Sequence, residues 1–213
     1  MTWELFELLL LASTRTIALS GLSIVIGFFL AAGICAGMLS DHAAARHAGR
    51  LFVSFFRGTP LLVQLLLIYH LLPRIGIDVP SEVAAVIGMS LCTAAYQAEI
   101  LRGGFGSVPK GLLEAADMCG IGAFDTFRRI RLPIAVRLTL PALTSELIMI
   151  VKASSLVSVV GVIELTRMAQ DLAASTFQPL PLYAAAGLVY LVINAAIAFA
   201  GWIVERRVAR GHA

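Results

Sequence analysis

Five runs of mainly apolar residues recur along this 213-residue chain, at residues 11–39, 52–72, 81–101, 138–163 and 182–204. Each is about as long as the roughly 20 residues that a helix needs to cross the ~30 Å hydrocarbon core of a bilayer. Within hydrocarbon every backbone N–H and C=O must be satisfied by the chain itself, so such runs have to be helical. Hydrophobic residues make up 59% of the sequence, charged residues only 14%, and mean hydropathy is +0.91. A soluble domain carries about 45–50% apolar residues, so the bilayer is the solvent here. The expectation is an all-α integral membrane protein with five transmembrane helices in a single domain, residues 1–213. The flank before the first run, MTWELFE, has Glu4 and Glu7 but no Lys or Arg, so the positive region of a signal peptide is missing and the run reads as a retained helix.

Charge sets the orientation. The net charge is +3, and the segments 40–58, 102–137 and 205–213 hold twelve of the sixteen Lys and Arg residues. The opposite side keeps only Arg15, Arg74 and Arg167, with Lys152 inside the fourth run. The positive-inside rule then expects an extracytoplasmic N-terminus, a cytoplasmic C-terminus and a cytoplasmic segment 107–133. This distribution accounts for the basic balance without a nucleic-acid partner. Cys35, Cys92 and Cys119 are an odd set and imply no disulfide framework. His42, His47, His70 and His212 lack metal-ligand spacing, so no metal site is expected.

The segment KGLLEAADMCGIGAFDTFRRIRLP, residues 110–133, is polar in an otherwise apolar chain. Ser107 and Pro109 make a helix start, and Gly120 sits where a left-handed residue would end that helix. A second short helix is expected from near Asp125 to Leu132, because the residue before Pro133 is pushed out of the helical region. Two short helices with apolar contacts from Leu112, Leu113, Ala116, Phe124, Phe127 and Ile130 would form a compact knob. Such a knob suits docking into a groove of a soluble partner; the residues alone equally allow a positive loop that only sets topology.

Other features carry paired readings. Gly33 and Gly37 form a G-x-x-x-G that permits close helix approach, or simply general small-residue packing. Gly58 and Pro60 mark a break at the start of the second run, Ser81 is an expected N-cap, and Gly103, Gly104 and Gly106 are expected to stop the third helix. Glu99, Glu146 and Lys152 lie inside spans, where a charge costs about 2.5–3.5 kcal/mol on insertion scales. They either pair internally, for example Lys152 with Glu99 or Glu146, or join Gln64, Ser154, Ser155 and Glu164 along a path for a zwitterionic substrate. Arg57, Gly58, Thr59 and Pro60 are an interface anchor, with Arg57 snorkelling to water, or a gate. No phosphate-cradling loop occurs: the nearest stretch, GFGSVPKG, has Pro109 before Lys110 and Gly111 after it. Neither H-E-x-x-H nor G-x-S-x-G nor a catalytic carboxylate pair is present, so no catalytic residue and no bound cofactor are expected in this chain.

Glu114-Ala115-Ala116, three residues, Gly120, nine residues, Ile130, one residue and Leu132-Pro133 form a spacing that resembles the EAA loop of membrane subunits of ATP-binding-cassette importers. The flanks FFRGTPLLVQLLLIY, AAYQAEILRGGFGSVPKGLLEAA and LVSVVGVIELT resemble the branch that imports polar amino acids and derivatives such as opines, over about residues 14 to 205. This resemblance implies a type I importer permease with a MetI-like fold and a cytoplasmic coupling helix. It makes Glu114, Ala115, Ala116 and Gly120 the core that docks onto an ATPase, with Ile130, Leu132 and Pro133 fixing the return to the membrane. It further implies cytoplasmic ATPase subunits that bind the ATP, a second permease subunit, identical or homologous, and an extracytoplasmic binding protein that meets loops near 73–81 and 164–182. The location implied is a bacterial inner membrane. One departure stands out: the family often has Lys-Asp-Thr-Ser-Leu in the fourth span, and this chain has Lys152-Ala153-Ser154-Ser155-Leu156. The rival classes are an ion-gradient-driven secondary transporter, against which the absence of an evident inverted repeat argues, and a membrane-embedded enzyme.

Overall fold

A computed structural model describes residues 2–210; Met1 and residues 211–213, which include His212, lie outside the described residues. The described chain is helical and contains no strand. Its long helices are α1 (Trp3–Leu39), α4 (Ser81–Gly106), α7 (Leu132–Ala153) and α9 (Pro179–Arg210). The shorter ones are α2 (Ala43–Gly58), α3 (Leu61–Arg74), α5 (Lys110–Met118), α6 (Ala123–Thr126) and α8 (Leu165–Thr176). Four stretches are long and apolar enough to cross a membrane, Trp3–Leu39, Ser81–Gly106, Ala123–Val160 and Pro179–Val208, and the α2–α3 pair makes a fifth if it counts as one broken span.

Helices α1 and α4 form the central seam. Ser13, Thr16, Ser20, Ser23, Gly27, Ala31, Cys35 and Met38 recur every three or four residues on α1 and are all buried. From Gly27 onward this face meets small residues of α4, among them Ala94 and Ala98, both fully buried. Lipid gives helices no hydrophobic reason to associate, so contact rests on close packing of small residues. Gly27 is the tightest point: a Cβ there would collide with the Thr93 methyl and lie 3.1 Å from the Ser90 carbonyl oxygen. The G-x-x-x-G does not serve this purpose, because Gly33 meets nothing within 4 Å.

The expected second run is broken sharply, with α2 and α3 bent by 104°. Pro60 has no N–H to donate to the Phe56 carbonyl one turn back. That carbonyl is instead served by the Gln64 side chain, whose Nε2 donates to the Phe56 oxygen at 2.8 Å and to the Thr59 oxygen at 2.9 Å. The third helix starts differently from expectation, since Pro80 is the N-cap residue and Ser81 the first helical one. It also runs through Gly103 and Gly104 to Gly106. Gly104 persists inside the helix because α7 approaches it, with the Thr139 methyl in the place of a Cβ and the Ala135 oxygen 3.0 Å away.

The second short helix of the polar segment does not end at Leu132. Instead α6, a π-helical turn at Phe127–Arg131 and α7 run on continuously past Pro133. In the π turn the Leu132 N–H reaches the Phe127 carbonyl, five residues back. This wider winding relieves the clash of a proline ring with the carbonyl four residues before it.

Candidate functional site

Two features stand apart from the packed seam: a cleft at the α2–α3 bend and a projection built from α5 and α6. Arg57, Gly58, Thr59, Pro60 and Leu61 form one wall of the cleft, Cys92 and Tyr96 of α4 another, and Glu146, Met149, Ile150 and Ala153 of α7 the third. Its volume is about 340 Å³. The Arg57 guanidinium lies over the Tyr96 ring, 5.2 Å from its centroid. Glu146 is buried, and its Oε1 accepts a 3.0 Å hydrogen bond from Thr93, whose hydroxyl accepts in turn from Gln97 at 3.1 Å. The cleft therefore offers one cation and one carboxylate on different helices with no ion pair joining them, which is the complement of a zwitterion.

The other intramembrane candidates lie elsewhere. Glu99 pairs with Arg102 three residues on, so neither it nor Glu146 pairs with Lys152, and among the described residues Lys152 makes no ion pair. The expected locking pair is absent because each acid has a nearer donor. Ser154 and Ser155 donate to carbonyls one turn back, Val151 at 2.7 Å and Lys152 at 2.8 Å. Gln64 braces the bend. Ala153, at the departure from the family pattern, lines the cleft, so the missing carboxylate is missing from this wall.

Glu164 is fully buried and works as a structural hub. Its carboxylate accepts from the backbone N–H of Thr166 at 2.9 Å and Arg167 at 2.8 Å, and from the Tyr190 hydroxyl at 2.8 Å. The preceding N–H of α8, that of Leu165, donates to the Thr16 hydroxyl of α1 at 3.1 Å. The opening N–H groups of α8 are thus satisfied by two side chains from different parts of the chain. Burial raises the Glu164 carboxyl above its ordinary value, while these donors pull it down. Tyr190 and Thr16 were not distinguishable in sequence from ordinary aromatic and small residues of a membrane helix; the Thr93 and Gln97 pair carried a readable signal, two polar residues four apart on one face.

Helix α5 ends in a Schellman motif: Gly120 has φ 72°, the Ile121 N–H bonds the Ala116 carbonyl at 3.0 Å, and the Gly120 N–H bonds the Asp117 carbonyl at 3.0 Å. Ala116 packs inward at 3% exposure, while Glu114 and Ala115 face outward. Met118 and Phe124 are 90% and 73% exposed, so the projection presents apolar side chains outside the helical bundle. Ile130 and Leu132 lie at the π turn, and Pro133 is at the second position of α7.

A helical membrane bundle with a charge-bearing cleft and an outward apolar projection has the build of a transport subunit. The chain belongs to the family described as the binding-protein-dependent transport system inner membrane component, whose model matches residues 23–210. It is 36% identical over 206 residues to the octopine transport system permease protein of Rhizobium radiobacter, covering 92% of this chain and 84% of that one. It is 35% identical over 213 residues to the glutamine transport system permease protein of Escherichia coli strain K12, covering 96% and 94%. Among solved structures it is similar to an amino acid ABC transporter described with histidines, at TM-score 0.89 and 32% identity over 94% of each chain. The chain is thus a permease subunit of a binding-protein-dependent ATP-binding-cassette importer, not an ion-gradient-driven transporter.

Proposed function

We propose that the imported compound is a polar amino acid or a derivative such as an opine, and that it passes through the cleft between Arg57 and Glu146. The observation that carries this reading is the unpaired placing of those two charges on opposed walls of one cleft of about 340 Å³. A cation and a carboxylate held apart in low dielectric interact strongly with the α-carboxylate and α-ammonium of an amino acid, and a substrate that satisfies both replaces the water each would otherwise need. The names of the relatives, octopine and glutamine permeases, support the same class.

The partners in this reading are two cytoplasmic ATPase subunits, which bind the ATP, a second permease subunit and an extracytoplasmic binding protein. The projection docks onto the ATPase through the outward Glu114 and Ala115, with Ala116 of the same expected core packed beneath them and Gly120 ending the helix, and with Ile130, Leu132 and Pro133 fixing its return to α7. The support is its outward apolar surface and its glycine-capped end. The chain sits in a bacterial inner membrane, N-terminus outside and C-terminus inside, following the distribution of Arg and Lys. The test is reconstitution with the ATPase and binding protein, reading ATPase stimulation across amino acids and opines. A single polar amino acid class should stimulate, and Glu146→Gln should abolish the selectivity; stimulation by sugars or peptides instead would refute the reading.

A further inference from the structure

On the other side of α4 from the cleft lies a second hollow of about 380 Å³, between α1, α4 and the α6–α7 junction. Leu101 and Phe105 line it, whereas Cys92 and Tyr96 line the cleft. At about 100° per residue, Leu101 sits roughly 140° around α4 from Tyr96, so the two hollows are separate. Along α1 the groove runs from Phe28 to Leu39. Eleven residues at about 1.5 Å each give about 16 Å, close to the depth of one leaflet of a ~30 Å hydrocarbon core. The walls are apolar, with small residues Ala32 and Ala36 opening the groove towards the outside.

One charged side chain stands in it, that of Arg131, in the π turn. Its guanidinium lies over the Phe105 ring at 5.7 Å, and that ring stacks on Phe127 with centroids 5.9 Å apart. The Nε is buried and has no hydrogen-bond partner, and among the described residues no carboxylate pairs with this arginine. The acids nearby are engaged by others, Glu99 by Arg102 and Asp125 by Arg129. An arginine held by aromatic rings and left without an anion, at the head of an apolar groove one leaflet deep, has the charge and shape complement of a phospholipid.

We propose that this groove binds an anionic phospholipid, with an acyl chain along α1 and the phosphate on Arg131. A protein helix would cover the groove but not fill it: a 16 Å length of helix about 10 Å across occupies more than about 1,200 Å³. Bound there, the lipid phosphate ties down the π turn that joins the projection to α7.

The test uses the purified full-length chain, with native mass spectrometry of adducts with phosphatidylglycerol and with phosphatidylethanolamine of the same acyl chains. One extra charge interaction at the membrane surface predicts about a five-fold preference for phosphatidylglycerol. Arg131→Gln should bring phosphatidylglycerol retention down to the phosphatidylethanolamine level, and Ala36→Trp, which blocks the groove without touching charge, should remove both adducts. Arg207→Gln, at an exposed cation of α9 outside the groove, should change neither, and glycerol phosphate without acyl chains should not compete. If Arg131→Gln fails to fold, Arg131→Lys keeps the charge and should keep the preference. Equal retention of the two lipids, adducts that survive Ala36→Trp, competition by glycerol phosphate alone, or loss of the adducts whenever a second permease subunit is bound would each overturn the proposal.

Discussion

Replacing Glu164 by alanine is expected to loosen three helices at once. The carboxylate caps α8 through Thr166 and Arg167 and accepts from Tyr190 of α9, while its neighbour Leu165 is held by Thr16 of α1. Loss of an N-cap costs about 1–2 kcal/mol, and loss of the Tyr190 bond about 1 kcal/mol, so Glu164→Ala should destabilise by about 2–3 kcal/mol. Tyr190→Phe should cost about 1 kcal/mol alone, because its hydroxyl meets Thr166 at 3.0 Å as well as Glu164. With Glu164 already gone, the same Tyr190→Phe change loses only the Thr166 contact and should cost about 0.5 kcal/mol or less, giving a coupling energy of about 0.5–1 kcal/mol. Distant sites add within about 0.3–0.5 kcal/mol, so the coupling is measurable by titrating unfolding of the purified chain in mixed micelles for the four members of the cycle. Additivity of the two substitutions would refute the hub: Glu164 would then be only a local cap, and α9 would be held by the apolar packing of its Leu182 with Leu9 and Leu165.

Gly120→Ala places a side chain at φ 72°, a conformation that costs an L-residue about 1–2 kcal/mol; it should lower ATP-driven uptake in reconstituted importer while membrane insertion stays normal, and unchanged uptake would show that the end of α5 need not be rigid. Gln64→Leu leaves the Phe56 and Thr59 carbonyls without their side-chain donor. A destabilisation of about 1–3 kcal/mol should appear in the same micelle titration, and its absence would mean water replaces the amide. Gly104→Val forces the Thr139 contact apart and should cost about 1–3 kcal/mol by overpacking, whereas Gly103→Val, beside it but with open space around the glycine, should be milder; equal effects would contradict close α4–α7 packing.

The helical membrane class was legible because the bilayer allows so few backbone solutions that hydropathy alone selects one. Gly120 was legible too, since a left-handed helix end is a local property with a local residue preference. What sequence could not supply was partner choice. Glu99, Glu146 and Glu164 look alike in a run of letters, yet one pairs with an arginine three residues on, one enters a cleft and one caps a helix. Those fates depend on which helix faces come together, and the faces are set by small residues such as Gly27 and Gly104 whose neighbours lie 66 and 35 residues away in the chain, at Thr93 and Thr139. Pro133 misled for a related reason: a proline excludes the ordinary helical bond, but the π turn before it offers a second way to continue.

That continuity bears on how the projection could move the cleft. Had the polar segment ended at Leu132, a push on α5 and α6 would have been absorbed by a loop. Instead α6 is continuous through the π turn with α7, and Glu146 lies fourteen residues beyond Leu132, about 21 Å along one helix. A helix transmits displacement along its axis far better than a loop, so the projection and the Glu146 wall should move as one lever. The opposite wall, Arg57 to Pro60, belongs to the bend between α2 and α3, where the main-chain ladder is interrupted and one glutamine side chain stands in for it. The cleft is thus bounded by a stiff side and a jointed side. Under the proposed function, ATP-driven motion of α7 changes the separation of Glu146 from Arg57, and with it the affinity for a zwitterion held between them. Spin labels at positions 124 and 149 of the assembled importer should then shift together relative to one at position 57 when ATP is added; a change between 124 and 149 would show that the π turn yields, and the lever would fail as the route of coupling.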